Sequence, residues 1–259
     1  MNAPAPVLTD IEQAAFERDG YLVCQGLAPE DQIENMLAVA TDHLAVNLAP
    51  VEYEVDVQYP GSPVSMDEPG GQTCRRLLHA YARDEAFRRW AAGPEIRGVL
   101  TALFRADDVV LSQCHHNCVM TKQPGFSSAT LWHQDNRYWS FDQQNLISVW
   151  LAMGDETRQN GCLRVIPGTH RMQFEPGRFD AALFLRPDLP ENKTLMAQAR
   201  VVELHRGDVL FFHSRLFHAA GRNLSEETKF SLVFTYHEAA NNPIEGTRSA
   251  RFPGIPLEA

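Results

Sequence analysis

The spacing of hydrophobic residues changes near residue 105. Before it, apolar residues recur every three or four positions, as at Ile33, Met36, Leu37 and Ala40, which is the pattern of amphipathic helices. After it, short runs rich in β-branched and aromatic residues are separated by Gly, Pro and Asn. Such runs are typical of an antiparallel sandwich or barrel. Helices followed by strands indicate an α+β, mainly β fold in which helices pack on one side of a jelly-roll barrel.

Turn residues divide both parts into elements. In the first part, Thr9 and Glu12 predict a capping box at the start of a helix that ends at Gly20. A short strand over Tyr21–Cys24 follows. The strands predicted in the second part are Val109–Met120, Leu146–Met153, Cys162–Ile166, Val201–Leu204, Val209–Phe212 and Phe230–Tyr236. Because no linker interrupts the chain, we expect one domain over residues 1–259, with helices and loops to about 105 and a barrel over about 106–240.

Two segments are candidate lids over a binding site. Residues 49–71 form a long predicted loop that contains four prolines, and residues 174–193 form a second. Long loops inside a domain commonly cover binding sites.

Composition narrows the class of protein. The chain has 259 residues, 44% of them hydrophobic, and a net charge of -10, which argues against binding to nucleic acid or to an anionic membrane. No apolar run approaches the roughly 18 residues of a membrane span, and no secretory signal is evident at the start. Five scattered cysteines favour a reducing, cytoplasmic setting over a disulfide framework.

The most informative motif is a His-x-Asp pair within Leu131–Trp139. On a strand, His133 and Asp135 would project from the same face and could bind one metal ion. A third ligand is expected from a later strand, which supplies His218, with His213 five residues before it as a competitor. Two histidines and one carboxylate leave metal positions open, which is the pattern of non-haem Fe(II) sites that activate dioxygen.

A second group of candidate ligands surrounds two adjacent histidines. On a regular strand, Cys114, His116 and Cys118 would share a face, which invites a zinc interpretation. A structural zinc site needs four ligands and only three align. We therefore expect this strand to line a pocket, with Asn117 or Cys118 touching the substrate or co-substrate.

The order of these segments resembles one known family. The His133–Asp135 motif is followed by Val149–Asp155, by Asn160–His170 and by Gly207–His213 ahead of His218, as in the phytanoyl-CoA dioxygenase family of Fe(II)- and 2-oxoglutarate-dependent oxygenases. The resemblance spans nearly the whole chain. It implies a double-stranded β-helix that holds Fe(II) at one mouth through His133, Asp135 and His218.

The resemblance also implies a site for 2-oxoglutarate. The family grips the far carboxylate of this co-substrate with an arginine eleven positions after the distal histidine, where this chain has Lys229. Lysine supplies the charge without the bidentate fork of arginine. Ser231 lies on the same strand face, and Trp150 and Gln134 match family positions near the co-substrate. Arg76 is a further candidate, since the family has a basic residue in that region.

The expected function is hydroxylation of a small organic metabolite with consumption of O2 and release of succinate and CO2. The metal motif is followed by Arg137, Tyr138 and Trp139, which we expect to form part of the substrate wall. An enzyme alternative is a jelly-roll metalloenzyme that does not use 2-oxoglutarate. A third alternative is a catalytically silent binding module of the same fold. The sequence leaves the substrate and the oligomeric state open.

Overall fold

The computed structural model describes residues 8–258. The α-helices in this range are α1 (Asp10–Asp19), α2 (Glu30–Ala45), α3 (Glu54–Val57), α4 (Ala80–Arg83), α5 (Glu85–Ala91), α6 (Pro94–Phe104) and α7 (Pro190–Met196). The strands are β1 (Tyr21–Cys24), β2 (Val51–Tyr53), β3 (Cys74–Leu78), β4 (Val109–Lys122), β5 (Thr130–His133), β6 (Leu146–Ala152), β7 (Leu163–Ile166), β8 (Arg200–Val202), β9 (Val209–His213), β10 (Phe217–Ala220), β11 (Lys229–Glu238) and β12 (Ile255–Pro256).

Two antiparallel sheets form the barrel. The larger has the order β1-β9-β6-β11-β4-β3-β2, with β12 also paired to β4, and the smaller has the order β5-β10-β7-β8. Sequential strands of the chain are seldom neighbours in this order, as in a jelly roll. The predicted jelly-roll class is confirmed.

The two faces of the larger sheet bury different surfaces. Along β11, Leu232 and Phe234 belong to the cluster that contains the apolar faces of α2, α5 and α6. Val233, between them, packs with Trp150 and with Leu163 of the smaller sheet. This alternation follows from the two-residue period of a strand. Helices α2, α5 and α6 therefore lie on the outer face of the larger sheet, as expected, and the inner faces of the two sheets enclose the barrel.

The start of the fold follows the predicted local signals. The Thr9 hydroxyl accepts a hydrogen bond from the Glu12 amide, and the Glu12 carboxylate accepts one from the Thr9 amide at 2.8 Å. Gly20 ends α1 with φ at 80°, a conformation that favours glycine. The chain can then turn directly into β1, which pairs with β9.

Two departures from the expected pattern bear on the site. Strands β2 and β3 lie in the part predicted to be helix and loop, and β3 pairs with β4. Strand β4 also carries a bulge, because Phe234 pairs with Asn117 whereas Thr235 pairs with Ser112. The four residues 113–116 between them have no counterpart on β11. A bulge of this kind redirects side chains that a regular strand would alternate.

None of the helices within residues 8–258 has the length and apolar character needed to cross a membrane.

Candidate metal centre and adjoining cavity

Two neighbouring strands of the smaller sheet carry the candidate histidine ligands. His133 ends β5, His218 lies in β10, and the two are directly paired in the antiparallel register. The Nδ1 atom of His133 lies 2.8 Å from the Leu131 carbonyl oxygen, and that of His218 lies 3.1 Å from the Leu216 carbonyl oxygen. Because a carbonyl oxygen only accepts hydrogen bonds, both Nδ1 atoms carry protons. Each Nε2 atom therefore keeps its lone pair for a metal.

Asp135 completes the group but does not lie on a strand. The prediction of a continuous strand through His133 and Asp135 was wrong, because β5 ends at His133 and Asp135 begins a 3-10 turn. Its Oδ1 atom lies 3.7 Å from Nε2 of His133 and 3.5 Å from Nε2 of His218. Ser148 donates a hydrogen bond to the other carboxylate oxygen at 3.2 Å. The ligand atoms of all three residues lie within 4.8 Å of one another, so the group can hold a metal ion.

The charges of the group suit a divalent cation. Burial lowers the pKa of His133 well below its ordinary value, which keeps this imidazole neutral. Burial alone would raise the pKa of Asp135, but the surrounding imidazoles and the Ser148 hydrogen bond lower it to about 2. A buried carboxylate beside two imidazole Nε2 atoms is a fitting donor set for iron or another first-row metal.

A third imidazole faces the same carboxylate. Nε2 of His116 lies 3.4 Å from Oδ1 of Asp135, and burial lowers the pKa of His116 to about 4. The bulge in β4 turns the consecutive residues 113–116 toward the cavity described next. The sequence predicts a pocket-lining strand around His116 but no role for this residue at the iron site, since a bulge leaves no sequence signal here.

The other metal-binding interpretations find no support in the structure. Among residues 8–258, His133, Asp135 and His218 are the only group of three or more His, Cys, Asp or Glu side chains placed to share an ion. The competing His213 instead accepts a hydrogen bond from the Arg215 amide at Nδ1 and packs near His170.

A cavity of about 500 Å³ opens beside the metal group. Its lining includes all five substrate-pocket residues proposed from the sequence, one of the five proposed co-substrate residues, and two arginines of the C-terminal segment. These are Arg76, Asn117, Cys118, Arg137, Tyr138, Trp139, Arg248 and Arg251. A volume of this size is typical of sites for small molecules.

Several cavity residues are held in place by contacts within the protein. Arg137 donates to the Ala182 carbonyl at 3.0 Å and to the Tyr59 hydroxyl at 3.2 Å, which ties the 3-10 turn to both predicted lid segments. The amide oxygen of Asn117 accepts from the Tyr81 amide at 2.8 Å. Trp139 stacks on His115 with ring centroids 4.6 Å apart. The cavity wall is therefore largely preorganised.

Three of the residues predicted to bind the far carboxylate of 2-oxoglutarate lie together, but they bind a carboxylate of the chain itself. Nζ of Lys229 lies 2.9 Å from Oε2 of Glu156 and 2.8 Å from the Ser231 hydroxyl. Ser231 and the Trp150 indole donate to Oε1 of Glu156 at 2.6 and 2.8 Å. None of these four residues lines the cavity. Gln134, also proposed for the co-substrate, donates to the Arg215 carbonyl.

The sequence predicts no role for Glu156. The residue follows Asp155 in the turn after β6, where an acidic residue is expected to be exposed. Its side chain nevertheless has no exposed surface.

Comparison with known proteins bears on this geometry. The family model described as Phytanoyl-CoA dioxygenase (PhyH) matches residues 16–231. The chain belongs to the phytanoyl-CoA dioxygenase family. Phytanoyl-CoA dioxygenase 1 of Oryza sativa is 22% identical over 88% of this chain and 89% of its own length. The peroxisomal phytanoyl-CoA dioxygenase of Bos taurus is 30% identical over 93% of this chain and 72% of its own. The chain spans 65% of the human peroxisomal enzyme.

Solved structures share the fold of this family member. The epimerase SnoN from nogalamycin biosynthesis, in complex with Fe3+, alpha ketoglutarate and nogalamycin RO, superposes with a TM-score of 0.73 at 22% identity, over 96% of this chain and 95% of SnoN. EctD from S. alaskensis, with 2-oxoglutarate and 5-hydroxyectoine, gives 0.74 at 22% identity, over 94% of this chain and 80% of EctD. These likenesses confirm the fold expected for the phytanoyl-CoA dioxygenase family.

Proposed function

We propose that this protein is an Fe(II)-dependent dioxygenase that uses 2-oxoglutarate and O2 to hydroxylate a small organic molecule. The observation that carries the proposal is the group of His133, Asp135 and His218, whose free donor atoms meet beside a cavity of about 500 Å³. Family membership and solved relatives that hold iron and 2-oxoglutarate support the choice of metal and co-substrate.

The donor set fits iron. Other residues of the chain would orient the ligands and keep water from the reacting centre. When bound, iron and 2-oxoglutarate would supply the oxidant, with succinate and CO2 as products. His133 and His218 would bind the metal through Nε2 while their Nδ1 protons hold both rings in place. Ser148 fixes the Asp135 carboxylate. Trp139, stacked on His115, and Arg137, bonded to a lid segment, would restrict the access of water to the reacting centre.

Arg76 is the proposed co-substrate residue that faces the cavity. The Nε atom of its guanidinium lies 3.3 Å from Oε1 of Glu52, an ion pair without hydrogen-bond geometry. A carboxylate that enters the cavity would accept hydrogen bonds from this guanidinium. We therefore assign Arg76 to an anionic group of the co-substrate.

The cavity also indicates the class of substrate. Arg137, Arg248 and Arg251 add positive charge to its lining, although the chain as a whole is acidic. The lining contains two carboxylates, Glu52, which is paired with arginine, and the candidate ligand Asp135. We propose a small substrate that carries a carboxylate or phosphate group, because its charge would be attracted to this lining.

Anaerobic titration with Fe(II) and then 2-oxoglutarate tests the proposal. We expect a weak visible charge-transfer band in the wild type and none in His133→Ala or Asp135→Ala, with metal content measured in parallel. A screen of small anionic metabolites for succinate release and a hydroxylated product would follow. Metal binding without a band would refute the use of 2-oxoglutarate and favour a metalloenzyme of another kind. Succinate release without product from any small acid would refute the proposed substrate class.

A further inference from the structure

We propose that Glu156 determines selectivity for the 2-oxo acid co-substrate, an inference that rests on the proposed function. Its carboxylate fills the place where Lys229, Ser231 and Trp150 would otherwise hold the far carboxylate of 2-oxoglutarate. The wild-type protein then gains little affinity from that second carboxylate at Lys229. Removal of Glu156 opens the site and increases the preference for the dicarboxylic acid.

The hydrogen-bond pattern identifies Glu156 as the equivalent of a bound carboxylate. Its two oxygens accept three hydrogen bonds, from the Lys229 ammonium, the Ser231 hydroxyl and the Trp150 indole. These donors are three of the five residues assigned to the co-substrate from the sequence. A carboxylate of the chain has therefore already used the donors that a ligand carboxylate would need.

Glu156 is built into the barrel and is not a loop residue that happens to fold inward. Its backbone amide donates to the Leu204 carbonyl at 2.7 Å, and the Leu204 amide donates back to Glu156 at 3.0 Å. The side chain has no exposed surface, and the Lys229 side chain is only 2% exposed. Swinging the carboxylate out would break a fully desolvated ion pair, which is costly.

The neighbouring lysine does not restore a free cation. Lys122 pairs with Lys229 in the strand register, and its ammonium donates to the Ser128 and Gly221 carbonyls at 2.9 and 2.7 Å. The ammonium of Lys229 also lies 5.1 Å from the ring centroid of Trp150. Both ammonium groups are thus committed to partners within the protein.

The test compares two co-substrates that differ only at the far end. 2-Oxoglutarate and 2-oxopentanoate share the chelating group, but 2-oxopentanoate has a methyl group in place of the second carboxylate. Dissociation constants are measured for both acids by anaerobic titration of the Fe(II) protein, and thermal shifts are measured with each acid. We expect Glu156→Ala to tighten 2-oxoglutarate about tenfold, the value of one charge-assisted contact, and to leave 2-oxopentanoate within about twofold.

Two further variants make the result specific. In Glu156→Ala/Lys229→Met the gain should disappear, because the ammonium that captures the second carboxylate is gone. Glu203→Gln removes an exposed carboxylate from a neighbouring loop and should change neither constant. If Glu156→Ala does not fold, Glu156→Gln keeps the volume and removes the charge, and it should move the ratio of the two constants in the same direction by a smaller factor.

The outcomes separate this inference from the proposed function. A ratio that stays within twofold in both Glu156 variants, while 2-oxoglutarate binds the wild type, overturns the role of Glu156 and leaves the dioxygenase proposal standing. A gain that persists without Lys229 also overturns it. Absence of a band with either acid in the wild type refutes the proposed function and this inference together.

Discussion

Replacing Lys229 with methionine should destabilise the protein strongly, because it strands a buried charge. The Glu156 carboxylate has no exposed surface and would keep only the Trp150 and Ser231 donors. Loss of one partner of a buried ion pair costs about 3–5 kcal/mol in the free energy of unfolding. For a chain of this size, that corresponds to a fall in Tm of roughly 10 °C.

The matched double variant tests whether charge is the cause. Adding Glu156→Gln to Lys229→Met removes the stranded charge, while the amide oxygen can still accept from Trp150 and Ser231. We expect the double variant to recover about half of the lost stability, measured by urea unfolding of the metal-free protein. Equal stability of the single and double variants would refute the reasoning, since the loss would then come from packing around the lysine stem.

Three other substitutions probe single features of the fold, each by its effect on unfolding. Gly20→Ala should lower the free energy of unfolding by about 1–2 kcal/mol or more, because φ is 80° and the new Cβ would lie 2.3 Å from Nδ1 of His170. As a control, Gly154→Ala places a Cβ with no atom within 4 Å and should be nearly neutral. Thr9→Ala removes the capping box and should cost about 1 kcal/mol in urea unfolding, and no change would show that α1 does not need its cap. Burial lowers the pKa of Lys122 to about 7, against about 10.4 in an unfolded chain. Between these pH values the unfolded chain binds more protons than the folded one. The free energy of unfolding should therefore rise with pH by up to about 1.4 kcal/mol per pH unit. Lys122→Met should remove this rise, and an unchanged pH profile would contradict it.

Much of the fold follows from local sequence signals, and most of the predicted second-part strands match those observed. The sequence did not predict strand β3, because Cys74–Leu78 contains two adjacent arginines and such a pair does not indicate a buried strand. Both arginines find acidic partners, Arg75 with Glu52 and Glu54, and Arg76 with Glu52. Partners of this kind come from elsewhere in the chain and leave no local pattern.

The candidate site shows the same division. The grouping of His133, Asp135 and His218 could be proposed from their spacing and segment order, although the assumed strand geometry at Asp135 was wrong. The approach of His116 depends on a bulge in β4, which is defined only by its pairing with β11. The place of Glu156 depends on contacts with β11 more than 70 residues away. Short-range sequence patterns therefore identify the types of candidate ligand, whereas the long-range pairing of strands determines which charged side chains come into contact.

The pairing of β4 with β11 has a consequence for how the chain folds. This ladder joins residues 109–122 with residues 229–238, so every contact in it closes a loop of more than 100 residues. Loop closure of this length slows folding, and a ribosome delivers β11 long after β4. Until then β4 lacks its central partner, and its apolar positions and unpaired backbone are exposed to other chains. Loss of the last 30 residues would therefore remove the middle of the larger sheet and leave an aggregating fragment.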